Sequence, residues 1–134
     1  MPPEKGDAAY LWDMLDAART VQEMTRGIDF DAYMASRTIQ LATERAIEII
    51  GEAARFVSAP FRDAHPEIPW TKIVAQRHLI AHHYGAIQHD RLWRVVTEHI
   101  PELIAQLIPL VPPAPSDPAD SGEPRSPVSP QPGA

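Results

Sequence analysis

Apolar residues recur at helical rather than strand spacing along most of this chain. Leu11, Met14, Leu15, Ala18 and Val21 share one face, with Asp7 placed to cap the helix start and Gly27 to stop it. Asp29 is a second cap, opening a short helical turn through Met34. A long helix follows from Ser36 to Val57, its apolar face carrying Ile39, Ala42, Ala46, Ile49, Ile50, Ala53 and Phe56. Gly51 inside it costs about 1 kcal/mol of helix propensity against alanine, which points to a close helix contact there. Pro60, Pro66 and Pro69 punctuate the connection from Ala59 to Pro69. Pro69 suits the first turn of a helix from Trp70 to Tyr84 that stops at Gly85. Asp90 is placed to cap a last helix, Arg91 to Leu107, in which Pro101 is expected to make a kink. No segment sustains strand alternation. The pattern specifies an all-α, antiparallel up-and-down bundle of four helices.

After Val111 the pattern ends. Eight of the 15 prolines fall between Pro112 and Pro132, interleaved with Ser, Asp, Gly and Ala. Such a stretch has too little apolar surface to offset its ordering entropy, so residues 112–134 are expected to be a disordered tail on a single domain, 1–111. The chain has no cysteine, which removes disulfides and thiolate-rich zinc sites. It also lacks the roughly 18 consecutive apolar residues of a membrane span, and its start has no signal-peptide run. A soluble protein of the cytoplasm is expected. The net charge of −6 argues against general nucleic-acid binding, which rests on phosphate neutralisation. The charge is uneven, however. From Arg62 to Arg94 five Lys/Arg outnumber three Asp/Glu, and five of the six histidines lie there. RNA, if bound, should meet that segment.

Within it, Arg77-His78-Leu79-Ile80-Ala81-His82-His83-Tyr84 sets an arginine, a histidine and a tyrosine into an apolar helical ladder. Arginine grips a phosphate bidentately at any working pH, and histidine gives or takes a proton near neutrality. Together they can cleave RNA without a metal. Arg77 and Tyr84, seven apart, align on a regular helix, as do His78 and His82, four apart. Arg77 and His82 diverge by roughly 140°. Their convergence on one phosphate requires a distorted helix near Gly85, or two copies of the helix facing each other.

The Arg77-x4-His82-x-Tyr84 pattern, with Glu48-Ile-Ile-Gly-Glu-Ala-Ala54 and His65-Pro-Glu-Ile-Pro-Trp70 before it, resembles the HEPN superfamily, specifically its HepT-like toxins. The resemblance runs from Leu11 to Leu107. It implies a HEPN-like homodimer with the cleft at a two-fold interface, working as a metal-independent endoribonuclease that needs no cofactor. Arg77 and His82 would be catalytic, with His78 in support where the family commonly has Asn or Asp. It also implies a toxin–antitoxin module of the HepT/MntA type, in which an MNT-type nucleotidyltransferase antitoxin adds AMP to Tyr84.

Other readings stand beside these. His78 and His82 have metal-ligand spacing, but no cysteine or carboxylate accompanies them in the motif. Tyr84 alone would pass for a hydrogen-bonding residue at a bundle end, and Arg77 with His82 for an interface ion-pair set. Glu48 and Glu52 could each pair with Arg77, or with Arg45 and Arg55 on their own helix; local pairing is expected for Glu48, whereas Glu52, beside Gly51, is a supporting candidate for the site. Trp70, Trp93 and Phe56 read as core or dimer packing rather than base-stacking platforms. Two rival functions remain open. One is a catalytically inert HEPN dimer acting as a nucleotide-binding or protein-interaction subunit, the other a structural dimerisation module.

Overall fold

The computed structural model describes residues 6–81 and 89–112. The described chain forms α1 (Asp7–Met24), α2 (Phe30–Ala35), α3 (Arg37–Phe56), α4 (Ala59–Ala64), α5 (Trp70–Ala81) and α6 (His89–Arg94). A π-helical turn (Val95–His99) then leads into α7 (Ile100–Leu107). Among the described residues there is no strand, and no helix is long and apolar enough to cross a membrane. The fold is an all-α helical bundle. His82, Tyr84, the side chain of His78 and the expected tail from Pro113 onward lie outside the described residues.

The long helix α3 is the spine, with α1 and α5 both packed on it and α7 closing against α1. Leu11, Met14, Leu15, Ala18 and Val21 of α1 are buried, as their spacing requires. They meet Ile47, Ile50, Ala53 and Ala54 of α3, with Ile73 and Ile80 from α5 and Ile100, Leu103 and Leu107 from α7 in the same core. Gly27 takes φ 78°, a left-handed conformation that glycine adopts without steric cost, and ends the α1 segment as expected. Asp29 caps α2 by accepting from the Ala32 N–H at 2.8 Å, and Ser36 caps α3 by accepting from the Ile39 N–H at 3.1 Å.

Several expectations change. Asp7 is not the cap: Gly6 is, and Asp7 is the first helical residue. Its carboxylate accepts instead from the Ser58 N–H at 2.7 Å and the Ser58 hydroxyl at 2.6 Å, tying the start of α1 to the end of α3. The connection after α3 contains a helix, α4, because Ser58 caps it and Pro60 sits in its first turn, where a missing N–H costs nothing. His89 is already helical, so Asp90 lies within α6 rather than capping a helix that begins at Arg91. Pro101 is accommodated by widening the turn before it. Its ring would crowd the Thr97 carbonyl and it offers no N–H, and the Ile100 N–H reaches back five residues to the Val95 carbonyl.

The buried face of α3 is also rotated from its expected line. Ile39, Ala42 and Ile49 are only half-buried and Phe56 is 49% exposed, while Gln40, Thr43 and Glu44 are buried. Gln40 is inside because its amide donates to the Tyr33 and Met34 carbonyls at 3.2 and 3.0 Å, near the end of α2, where the Tyr33 carbonyl also accepts from the Ser36 N–H.

Candidate active site

The site is built where α5 crosses α3. A Cβ on Gly51 would stand 2.9 Å from the Arg77 Cβ and 3.2 Å from the Ile73 carbonyl oxygen. Only a residue without a side chain lets the two backbones come this close. The approach sets Arg77 beside the next residue of α3, and Arg77 Nε donates to Glu52 Oε2 at 3.0 Å. Both side chains are partly exposed, at 31% and 45%. The guanidinium is thus oriented through Nε, and its Nη groups carry four further N–H donors suited to a phosphate. Glu48, one turn earlier, pairs with Arg45 at 3.4 Å on its own helix.

The segment leading into α5 is fixed at its loop. The Trp70 indole N–H donates to the His65 carbonyl at 2.9 Å, and the Phe61 ring lies 4.4 Å from His65. The Gln106 amide donates to the Glu67 carbonyl at 2.9 Å, joining the end of α7 to the same loop. Trp70 is buried, as expected of a packing residue.

A second polar cluster, absent from the sequence reading, anchors the start of α6. Tyr33 of α2 is 0% exposed, and its hydroxyl lies 3.0 Å from His89 Nδ1. Burial, then the Glu44 carboxylate, push the Tyr33 phenol up to about 12, so it stays protonated at neutral pH. It donates to His89 in the tautomer that carries its proton on Nε2. Phe30 and Trp93 enclose the ring, with Trp93 at 5.1 Å from it. The first described residue after α5 is therefore a histidine held by α2. The two partners are 56 residues apart. The only sequence hint is an aromatic pair, Phe30 and Tyr33, on a helix too short to need one.

Two of the surface grooves adjoin α3. One, of about 130 Å³ between α3, α5 and the last helical run, is lined by Ile47, Ile50, Ile73, Val95, Ile100 and Leu103 among others, and neither Arg77 nor Glu52 lines it. The other, of about 320 Å³, lies between α1 and α3 and includes Glu52, with Tyr10, Asp13, Arg45, Ile49, Ala53 and Phe56. Among the described residues no group of three His, Cys, Asp or Glu side chains is placed to hold a metal ion. Of the expected site residues the structure brings Arg77 and Glu52 together. His82, Tyr84 and the His78 side chain fall outside the described residues.

Known proteins of this kind share the same stretch of sequence. "Putative RNase MJ1380" of Methanocaldococcus jannaschii is 38% identical over 95 residues, which cover 71% of this chain and 87% of that protein. "Probable ribonuclease HepT" of Thermococcus cleftensis is 38% identical over 94 residues, covering 70% of this chain and 86% of its own length. "Putative RNase TTE0752" of Caldanaerobacter subterraneus is 31% identical over 98 residues, covering 73% and 88%. No solved structure matches the chain. The ribonuclease HepT-like family matches residues 14–110, a span that holds the whole α3–α5 crossing, and the chain belongs to that family.

Proposed function

We propose that this protein is a metal-independent endoribonuclease in which Arg77 and His82 carry the reaction. The observation that carries the proposal is the Arg77–Glu52 pair at the Gly51 crossing, in a chain of the ribonuclease HepT-like family. A partly exposed guanidinium oriented by a carboxylate is built to receive an anion. An ion pair serving stability alone gains little at such exposure.

In the proposed reaction the 2′-hydroxyl attacks the neighbouring phosphorus. A general base takes its proton, the P–O5′ bond breaks, and a general acid protonates the departing 5′-oxygen. The products are a 2′,3′-cyclic phosphate and a 5′-hydroxyl. His82 serves as general acid or base, worth roughly 10²–10⁴-fold. Arg77 neutralises charge that builds on the non-bridging oxygens, and Glu52 holds it in plane. His78 supports the site as a hydrogen-bonding neighbour of the motif. From the family resemblance we infer a homodimer whose cleft draws on both copies, an arrangement that would also let Arg77 and His82, divergent on one regular helix, reach the same phosphate.

The biological setting we infer is a cytoplasmic toxin whose partner is an MNT-type nucleotidyltransferase antitoxin. That enzyme transfers AMP from ATP to the Tyr84 phenol oxygen with release of pyrophosphate. The adduct would put a bulky anion beside Arg77 and compete with the RNA phosphate.

The test is product chemistry. Purified protein should convert single-stranded RNA to cyclic-phosphate ends in EDTA and leave the same sequence in DNA intact. Cleavage that stops with EDTA, or that proceeds on DNA, contradicts the mechanism. Co-expression with the nucleotidyltransferase should add one AMP mass to Tyr84 and none to Tyr84→Phe. Neutralisation without an adduct would leave occlusion as the antitoxin's mode of action.

A further inference from the structure

The groove beside Glu52 has an unusual floor. Phe56, at the end of α3, keeps 49% of its surface exposed and stacks on Tyr10 with ring centroids 5.6 Å apart and planes 23° from parallel. The Arg55 guanidinium lies over the Phe56 ring at 5.2 Å from its centroid. Half of the Phe56 surface stays in water, so the ring gains less from burial than a core phenylalanine does. The exposed Arg55 side chain can swing outward from the ring, and a flat, polarisable ligand would then stack between ring and guanidinium.

The position matters as much as the rings. Glu52, one turn before Phe56, lines this groove and is also the residue that holds Arg77. The shelf and the candidate catalytic arginine therefore share a wall. At about 320 Å³ the groove is near the lower end of ligand clefts, about 300–1,000 Å³, which suits one base rather than a large ligand. Charge points the same way. Arg45, Arg55 and Arg77 are matched by Asp13, Glu48 and Glu52, so the surface is electrically balanced and does not attract a phosphate backbone by field alone. What it offers is a π-face.

From these features we propose that Phe56, backed by Tyr10 and covered by Arg55, is a stacking subsite for one unpaired base of the RNA, next to the phosphate held by Arg77. The substrate class is then single-stranded RNA, since a base inside a duplex has no free face to give. A second copy of this chain is the weaker occupant. A stable interface needs roughly 800 Å² per partner and a centre depleted of charge, and here Asp13, Arg45, Glu52 and Arg55 stand around the two rings. The inference rests on the ribonuclease reading for its ligand, but its test does not require cleavage.

Binding is measured by fluorescence anisotropy with a labelled single-stranded RNA bearing 2′-O-methyl sugars, which cannot be cut, and the full chain. Phe56→Ala and Phe56→Leu should each weaken binding roughly 5- to 140-fold, the range for losing one base–aromatic stack. Phe56→Trp should retain or improve it, and the loss should change little with salt. Light scattering should show the same oligomeric state for all four proteins. Wild-type affinity in Phe56→Ala, no binding by the wild type, or a loss that follows dissociation of an oligomer would each overturn the subsite. Cleavable RNA separates the two claims. Wild-type binding that depends on Phe56 without any cleavage leaves the subsite standing and removes the ribonuclease. Cleavage with an unchanged KM in Phe56→Ala does the reverse.

Discussion

Gly51→Ala sets two physical effects against each other. Alanine is the better helix former, by about 1 kcal/mol at an interior position, so propensity alone forecasts a more stable protein. The crossing forecasts the opposite. The new methyl would stand 2.9 Å from the Arg77 Cβ and 3.2 Å from the Ile73 carbonyl oxygen. Neither neighbour is the free end of a flexible side chain, so α5 must move off α3 by a few tenths of an ångström. Overpacking of this kind costs about 1–3 kcal/mol. The expected net effect is a loss of about 1 kcal/mol, equivalent to a fall in Tm of about 4–8 °C for a domain of this size. Thermal and urea unfolding followed by circular dichroism measure it. Because the same shift carries the Arg77 Cα away from Glu52, RNA cleavage should fall by more than the folded fraction does. A rise in Tm with full cleavage would show that the close approach neither strains the crossing nor places the arginine.

Other perturbations separate positioning from stability. Glu52→Gln should lower Tm by no more than the few degrees expected of a partly exposed pair, yet reduce kcat roughly ten- to hundredfold through a misaimed guanidinium; equal kcat would release Glu52 from the site. Tyr33 has its phenol pushed up to about 12 from 10, so the stability it contributes is full below pH 10 and is lost as pH rises through 12. Wild type should therefore lose about 2–3 kcal/mol relative to Tyr33→Phe across that window, and parallel pH profiles in urea titrations would contradict the assignment. Removing residues from Pro113 onward should leave Tm nearly unchanged, and a large drop would show that the segment docks on the bundle.

Parts of this molecule were legible in the sequence because they depend on local spacing. The α1 stripe, the cap at Asp29 and the close contact at Gly51 follow from residues a few positions apart, and each stands where the pattern puts it. Features set by distant partners were not legible. Asp7 looks like a cap until Ser58, 51 residues away, takes both its oxygens. Phe56 continues the apolar period of α3, but the packing of α1 and α5 rotates the buried face off that line, so the ring, like Ile49 seven residues before it, is left partly in solvent. Gln40 and Glu44 look like surface residues of an amphipathic helix, and the carbonyls of α2 draw Gln40 inside. The Tyr33–His89 bond depends on two elements that no local pattern connects.

The central claim is that Arg77 and His82 are the chemistry of this protein. It is met most directly by single-turnover cleavage of one RNA substrate by wild type, Arg77→Ala, His82→Ala and an equimolar mixture of the two variants, at equal helical content. Each variant should lose at least about 10²-fold in rate, and the refolded mixture should regain part of it by pairing one intact residue from each copy across the dimer. Wild-type cleavage rates in either alanine variant would contradict it.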